Sequence, residues 1–273
     1  MKLIYTIILL IGVTVLQRCG AGETKRNQQQ KISQQPIINP SVASVFAIQK
    51  LNQAPVLCYH NIHDVTIGAG SDYTVSTNAF KAQVKILADS GYHTILPAQL
   101  WTYLIDGTPL PPKPIMFTFD DTHREHYSIA ALELEKYGFK GVFFIMTVCV
   151  GKPGYMTAGQ LKALSEKGHI IGGHTWDHFD LRTLHDKDWV VQLDKPNLYL
   201  EKIIGKPVQS FAYPFGAWND AAIDELKKRG IKEAFQLSGK QSEKEPLYTI
   251  RRILVAGNWS TKQLLSAIKT SFK

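Results

Sequence analysis

Short apolar segments and longer amphipathic segments alternate along the chain from Ala54 onward. The short segments are rich in β-branched and aromatic residues, and the longer ones repeat apolar residues at helical spacing. We predict strands in PVLCYH, YHTIL, PIMFTF, KGVFFIMTVCV, HIIGG, VQSFAY, EAFQL and YTIRRILV. Seven or eight such strand–helix units indicate parallel strands covered by helices, in an open sheet or a closed barrel.

Capping residues mark the starts of several predicted helices. Thr157 with Gln160, and Ser260 with Gln263, have the capping-box spacing that opens a helix. A long helical stretch before VQSFAY is broken by Pro196, because proline removes a backbone donor. Further helices are predicted in residues 77–90, PAQLWTYLI, REHYSIAALELEKYG and NDAAIDELKKRG.

Unusual polar residues follow the predicted strands at the point where each strand ends. His60 follows VLCY, Asp120 and Asp121 follow FTF, His174 follows IIGG, and Tyr213 follows SFA. In a (β/α) barrel these strand ends converge on one face, where catalytic residues gather. No GxGxxG follows the first strand, so a dinucleotide-binding open sheet is unsupported. The positions therefore favour a (β/α) barrel.

The N-terminal segment MKLIYTIILLIGVTVLQRCG reads as an export signal in residues 1–19. Leu16 lies three residues before Cys19, which is the arrangement of a lipoprotein signal-peptidase site, although Arg18 fits such a site poorly. Cys19 would then carry a lipid anchor. The alternative is an uncleaved membrane anchor, for which the apolar run is short. Either reading predicts an exported, membrane-tethered protein in the periplasm or on the cell surface.

Residues 20–53 are polar and lack periodicity, so we predict a flexible tether followed by one folded domain in residues 54–273. The formal charge of +8, from 31 basic and 23 acidic residues, is spread along the chain. This spread argues against a nucleic-acid partner and indicates at most a mild attraction to anionic polymers. Cys58 and Cys149 lie in apolar runs, where buried free thiols are expected, with a disulfide as the alternative.

The segments FTFDD and HTWDH together indicate a metal site. His174 and His178 are four residues apart, so one turn of helix would bring both imidazoles to the same side. With one carboxylate from Asp120 or Asp121 they would form a three-ligand set that leaves a position open for water. The other aspartate could then accept a proton from that water. Capping of the next helix is the alternative role for Asp121 or Thr122.

These residues carry a family resemblance. TFDD, HTWDH and AYPFG resemble the first three motifs of the NodB-type polysaccharide deacetylases, carbohydrate esterase family 4. PVLCYHNI and YTVSTNAFKAQVKILADSGYHTI are similar to the subgroup that acts on poly-β-1,6-N-acetylglucosamine. The resemblance implies a distorted (β/α)7–8 barrel, one divalent ion and hydrolysis of N-acetyl groups on a polysaccharide. Zinc is the expected ion, with nickel, cobalt and iron(II) as alternatives.

The resemblance also implies roles for individual residues. Asp120 resembles the catalytic base, and His60 resembles the acid that protonates the departing amine. The metal ligands would be Asp121, His174 and His178. Phe215 matches the position whose backbone N–H helps to hold the oxyanion.

The sequence departs from the family pattern at three places. Thr122 replaces the usual glycine after TFDD, which leaves the loop less backbone freedom. Ala212 stands where the wider family has an arginine that tethers the base, and no LxH motif is found near the C-terminus. Arg252 could supply the missing charge beside Asp120, and a surface role is the alternative.

Substrate contacts are predicted for Trp176, Tyr213, Trp218 and Arg252, with the tryptophans as stacking surfaces for sugar rings. His123 and His126 are expected on the exposed first turn of a helix, and a rim beyond the metal is their alternative role. We expect a monomer that acts on an N-acetylated polysaccharide. Two other functions remain open, a carbohydrate-binding protein without turnover and an O-acetyl esterase.

Overall fold

Every pairing between the named strands of this protein is parallel. The computed structural model describes residues 42–64 and 72–272. Within them the strands are β1 Val56–Tyr59, β2 Asn61–Ile62, β3 Thr74–Val75, β4 His93–Thr94, β5 Pro114–Phe119, β6 Gly141–Ile145, β7 Ile170–Gly173, β8 Ser210–Ala212, β9 Glu233–Phe235 and β10 Ile253–Leu254.

The main sheet closes on itself through the segment around β10. Its strand order is β10-β1-β5-β6-β7-β8-β9, β4 pairs with the start of β5, and β2 pairs with β3 in a small second sheet. Ile250 forms a parallel bridge with Phe235 of β9, and the Arg252 N–H donates to the Leu237 carbonyl at 3.0 Å. Because the same segment continues into β10 beside β1, it joins the two ends of the sheet. The predicted distorted (β/α) barrel is confirmed.

Helices follow most strands, and the predicted caps open them. Thr157 and Ser260 each form a capping box with the glutamine three residues later. The α-helices in the described residues are α1 Val42–Gln49, α2 Thr77–Asp89, α3 Pro97–Asp106, α4 Leu132–Glu135, α5 Ala158–Glu166, α6 Lys195–Ile204, α7 Asp220–Lys228 and α8 Thr261–Ser271. Two π-helical stretches, His126–Ala131 and Val190–Asp194, lead directly into α4 and α6.

Two local predictions are wrong. Pro196 does not break its helix, because Val190–Asp194 is a π-helical stretch whose wider turn accommodates a residue without an N–H. The flexible tether was predicted to cover residues 20–53. The last part of this range instead contains helix α1, in which Ile48 is buried.

Alternation along the strands divides the core into two layers. Side chains of one parity fill the barrel interior, including Val56, Met116, Val142 and Phe144. Their neighbours along the strands pack outward against the helices, as expected for a strand period of two. Cys58, Thr118, Asp120, His174 and Arg252 have the inward parity, so polar groups lie above the apolar interior at the carboxyl ends of the strands.

The predicted signal peptide, the Cys19 lipid anchor and most of the tether lie outside the described residues and remain predictions. In residues 42–64 and 72–272, no helix has the length and apolarity needed to cross a membrane. Cys58 and Cys149 are both buried and unpaired, so the expectation of free thiols is confirmed.

Gly172 tests how tightly the barrel interior is packed. A Cβ there would lie 2.6 Å from the Phe144 ring and 2.9 Å from the Ser210 carbonyl oxygen. We expect Gly172→Ala to lower the free energy of unfolding by about 1–3 kcal/mol, because the interior cannot take the added methyl without moving. Urea denaturation measures this change. The matched substitution Gly159→Ala on α5, where the nearest atom is 3.9 Å away, should not destabilise the protein, and equal stability of the two variants would contradict the packing described here.

Candidate active site

The loop after β5 separates the two adjacent aspartates. Asp121 and Thr122 both adopt positive φ angles, 76° and 68°, a region that costs a non-glycine residue about 1–2 kcal/mol. The Thr122 hydroxyl offsets this cost by accepting from the Met146 N–H at 2.8 Å and donating to the Met146 carbonyl at 3.2 Å. As a result of this turn, the side chain of Asp120 is buried inside the barrel. The side chain of Asp121 is half-buried and lies nearer the rim. The departure from glycine at Thr122 is therefore accommodated.

The two histidines of HTWDH converge, but not on a helix. The segment after β7 is a turn in which Thr175 and His178 have φ angles of 65° and 67°. This turn, rather than the predicted helical turn, brings the rings of His174 and His178 to a centroid distance of 4.9 Å. His174 Nδ1 lies 2.7 Å from the Ala212 carbonyl and donates to it, which leaves Nε2 as the free nitrogen.

Three side chains form a group that fits a cation. Asp121 Oδ1 lies 3.5 Å from His174 Nε2 and 3.6 Å from His178 Nε2. Asp121 Oδ1 and His174 Nε2 are buried and have no hydrogen-bond partner among the described residues. The edges of a tetrahedral zinc site, from its bond lengths, are about 3.4 Å. Asp121, His174 and His178 match this spacing and leave a further position open.

The local charge also favours a cation. Burial lowers the pKa of His174, but the charges of Asp120 and Asp121 outweigh it and raise that pKa above its ordinary value. Burial likewise raises the pKa of Asp121, but the close electrostatic interaction with His174 brings it down to about 2. The two carboxylates thus favour positive charge at the position of the histidine nitrogens.

Asp120 forms a buried ion pair with Arg252. The guanidinium donates to both carboxylate oxygens, at 2.7 and 2.8 Å, and its Nε donates to the Gln236 carbonyl at 2.8 Å. Burial raises the pKa of Asp120, but the charge of Arg252 outweighs it, with support from His174, and holds the pKa well below its usual range. Arg252 thus supplies the charge that Ala212 cannot. Arg252 also lines the cleft, but its side chain is buried and paired with Asp120, so its contact with substrate stays a prediction.

His60 lies beside this ion pair at the end of β1. Its Nε2 is 3.9 Å from Asp120 Oδ2, and its ring contacts Tyr73 edge-on at 5.1 Å. Burial lowers the pKa of the His60 imidazole, although Asp120 acts in the opposite direction. Asp120 and His60 therefore lie side by side in the barrel mouth, beyond direct hydrogen-bond distance.

His126 lies beside the site, contrary to the favoured expectation of an exposed helix turn. Instead of lying on an exposed turn it is fully buried, and its Nε2 donates to the His60 carbonyl at 2.6 Å. Burial lowers the pKa of His126 to about 3, so the ring is neutral at pH 7. Ala130 and Leu134 follow at helical spacing and are buried too, a periodicity that could have predicted its position. His123 is half-buried and stacks on Tyr155.

Comparison with known proteins decides the family. Residues 107–234 match the family model described as Polysaccharide deacetylase. Staphylococcus aureus (strain MRSA252) poly-β-1,6-N-acetyl-D-glucosamine N-deacetylase is 27% identical over 68% of this chain and 69% of its own. A Bacillus subtilis (strain 168) protein, provisionally named polysaccharide deacetylase YxkH, is 24% identical over 95% of both chains. The structure of Streptococcus pyogenes deacetylase PplD in complex with acetate aligns with a TM-score of 0.73 and 25% identity, covering 79% of this chain and 98% of that one.

The chain contains a polysaccharide deacetylase domain. The predicted family and enzyme class, a hydrolase of the deacetylase kind, are confirmed at this level. The match covers the loop after β5, the HTWDH turn and AYPFG, which are the segments that carry the converging side chains.

A cleft of about 510 Å³ opens over these side chains in the deacetylase domain. His60, Asp120, Asp121 and His178 line it, and the exposed ring of Phe215 covers the edge of His178 at a centroid distance of 4.4 Å. Phe215 has a φ angle of 61°, which turns its backbone at the cleft wall. A ligand in this cleft would therefore contact both candidate acid–base residues.

Of the three aromatic residues predicted to contact substrate, only one lines this cleft. Tyr213 lines it, but its ring packs outward against Phe211 in the layer beneath the helices. The Trp218 indole N–H donates to the Gln236 side chain at 3.3 Å, and its ring packs on the core. Trp176 is 42% exposed and lies outside the residues that line the cleft. Its contact with substrate remains a prediction.

The ion pair in the deacetylase barrel has a measurable effect on stability. We expect Arg252→Met to lower the free energy of unfolding at neutral pH by about 3–5 kcal/mol, because Asp120 would stay buried and uncompensated. The folded pKa of Asp120 lies below its unfolded value of about 3.9, so the stabilisation is present above that value and is lost as the pH falls through the folded pKa. The difference in the free energy of unfolding between Arg252→Met and wild type should therefore become smaller in acid. Urea denaturation at a series of pH values measures it.

Lys240→Met is the control for this comparison, because it breaks an exposed pair with Glu243. It should change stability little at any pH. If the stability difference between Arg252→Met and wild type stayed constant from neutral to acid pH, the assigned ion pair would be contradicted.

Proposed function

We propose that this protein is a metal-dependent hydrolase that removes N-acetyl groups from an N-acetylglucosamine-containing polysaccharide of the cell envelope or extracellular matrix. The observation that carries the proposal is the unpartnered, buried pair of Asp121 Oδ1 and His174 Nε2, which face each other and His178 beside the Asp120–Arg252 ion pair. A purely structural polar cluster would satisfy these atoms internally.

The three ligands suit zinc, with nickel, cobalt and iron(II) as alternatives, because imidazole nitrogen and carboxylate oxygen are common to all of them. Asp121, His174 and His178 would hold the ion. When bound, a divalent cation at this position lowers the pKa of water and polarises the acetamide carbonyl.

The residues of this chain supply the proton transfers. Asp120, ionised and fixed by Arg252, accepts the proton of the attacking water through Oδ2. His60 lies 3.9 Å from that oxygen, so a small approach of the two side chains would let the proton pass to the imidazole and then to the amine as acetate leaves. The Phe215 N–H, at the cleft wall, donates to the carbonyl oxygen as it gains negative charge.

Several relatives support the substrate class. The Staphylococcus aureus relative is named a poly-β-1,6-N-acetyl-D-glucosamine N-deacetylase, and the Streptococcus pyogenes deacetylase was solved with acetate, the product of deacetylation. The export signal and the lipid anchor on Cys19 would place the enzyme at such a polymer. We therefore propose an exported, tethered monomer with no nucleic-acid partner.

The departures at Thr122 and Ala212 do not favour the alternative of a binding protein without turnover. The Thr122 hydroxyl accepts a hydrogen bond from the N–H of Met146, the residue directly after β6. The Ala212 carbonyl accepts a hydrogen bond from His174. Arg252 fixes the base from another strand. These contacts support turnover over binding alone.

Replacing the base tests the division of labour between the aspartates. We expect Asp120→Asn to retain a full equivalent of zinc and to lower acetate release from N-acetylglucosamine oligomers by about 10²–10⁴-fold, because the general base is lost. Metal analysis and an acetate assay measure both quantities. Asp106→Asn, at the end of α3, is the control and should match wild type. Full activity of Asp120→Asn would exclude Asp120 as the base.

Replacing His60, the proposed general acid, should affect hydrolysis of an amide more than hydrolysis of an activated ester. We expect His60→Gln to lose most acetate release from N-acetylated oligomers yet keep hydrolysis of 4-nitrophenyl acetate near wild type, because nitrophenolate leaves without a proton. Chelation should abolish both reactions, and zinc should restore them. Equal loss of both reactions in His60→Gln would contradict its role in protonating the amine.

A further inference from the structure

Cys58 is buried beside the catalytic machinery and has no part in the proposed reaction. Its Sγ lies 3.6 Å from Asp120 Oδ2 and 3.9 Å from His60 Nδ1. The three side chains form the thiol cluster, defined here as Cys58, His60 and Asp120. Their ligand atoms all lie within 4.8 Å of one another.

Strand geometry explains why these side chains meet. Cys58 and His60 are two residues apart at the end of β1, so both face the barrel interior. Cys58 is paired with Thr118 of β5, and the Asp120 N–H donates to the Tyr59 carbonyl at 3.0 Å. This register places Asp120 level with His60 on the neighbouring strand.

The spacing suits a thiophilic divalent cation. A sulfur, a nitrogen and an oxygen ligand on tetrahedral zinc would be separated by about 3.5 Å, given their bond lengths. The sulfur distances in the thiol cluster are 3.6 and 3.9 Å, so modest side-chain movement would bring the atoms to bonding positions. A thiolate also selects soft cations over magnesium or calcium.

Two groups oppose binding and set its strength. Arg252 already donates to both oxygens of Asp120, so a cation must share that carboxylate with a guanidinium. The thiol must also lose its proton, and burial raises the pKa of Cys58 above its ordinary value. The thiol cluster should therefore bind more weakly than Asp121, His174 and His178, and only when a soft cation is in excess.

We propose that the thiol cluster is a second, lower-affinity site for thiophilic cations such as Cd²⁺ or excess Zn²⁺, and that its occupancy inhibits the enzyme. Occupancy inhibits because the cation takes both the base, Asp120, and the proton donor, His60. The inhibition rests on the proposed function, whereas cation binding does not.

Cadmium titration of the full-length protein tests the binding. Wild type should take up two equivalents, the second with appearance of the ultraviolet cadmium–thiolate charge-transfer band. Cys58→Ala should take up one equivalent without the band, and Cys149→Ala, which alters the other buried cysteine, should behave as wild type. A single equivalent in wild type, or a band that persists in Cys58→Ala, would overturn the site.

Inhibition is tested separately with the acetate-release assay. The cadmium concentration for half-inhibition should rise at least tenfold in Cys58→Ala and stay unchanged in Cys149→Ala. Two-equivalent binding without loss of acetate release would overturn the inhibitory role. If no glycan releases acetate, the proposed function fails while the titration still decides the site. Should Cys58→Ala not fold, cadmium NMR of wild type decides: a resonance typical of sulfur ligation supports the site, and nitrogen and oxygen ligation alone overturns it.

Discussion

A carboxylate inside a closed barrel requires a buried cation, and the pair of Asp120 with Arg252 meets that requirement. Removing both charges from water costs several kcal/mol per ion, by an order-of-magnitude estimate, unless geometry and added hydrogen bonds repay it. Here the Arg252 guanidinium donates hydrogen bonds to both carboxylate oxygens of Asp120. It also donates to the Thr118 hydroxyl and the Gln236 carbonyl, and it lies over the ring of Phe144. The same arginine lies on the segment that closes the sheet, so one residue takes part both in barrel closure and in keeping Asp120, the proposed base, ionised.

Backbone strain is concentrated around the proposed metal. Of seven non-glycine residues with positive φ in the described part of the chain, five lie in the loops that carry cleft residues: Asp121, Thr122, Thr175, His178 and Phe215. Such conformations persist only where the surrounding structure compensates for them, and they cluster at functional sites. The loops with these conformations bring the three proposed ligands, Asp121, His174 and His178, together.

Local signals in the sequence account for most of the fold. Apolar alternation located the strands, and capping residues located α5 and α8, because both patterns depend on near neighbours in the chain. The convergence of strand ends also followed from topology. Arg252 was one of two alternatives left open for the charge beside Asp120, since it is 132 residues away and its role depends on register. The HTWDH turn was misjudged as helical, because positive φ angles at Thr175 and His178 are not readable from residue type.

X-ray absorption spectroscopy at the zinc edge tests the central claim most directly, because it reports the ligands of the ion without reference to turnover. Protein loaded with one equivalent of zinc should show a shell of light scatterers with the multiple-scattering pattern of two imidazoles, as Asp121, His174 and His178 require. Replacement of His174 by alanine should reduce that pattern to one imidazole. A shell without imidazoles, or one containing sulfur at this stoichiometry, would contradict the account.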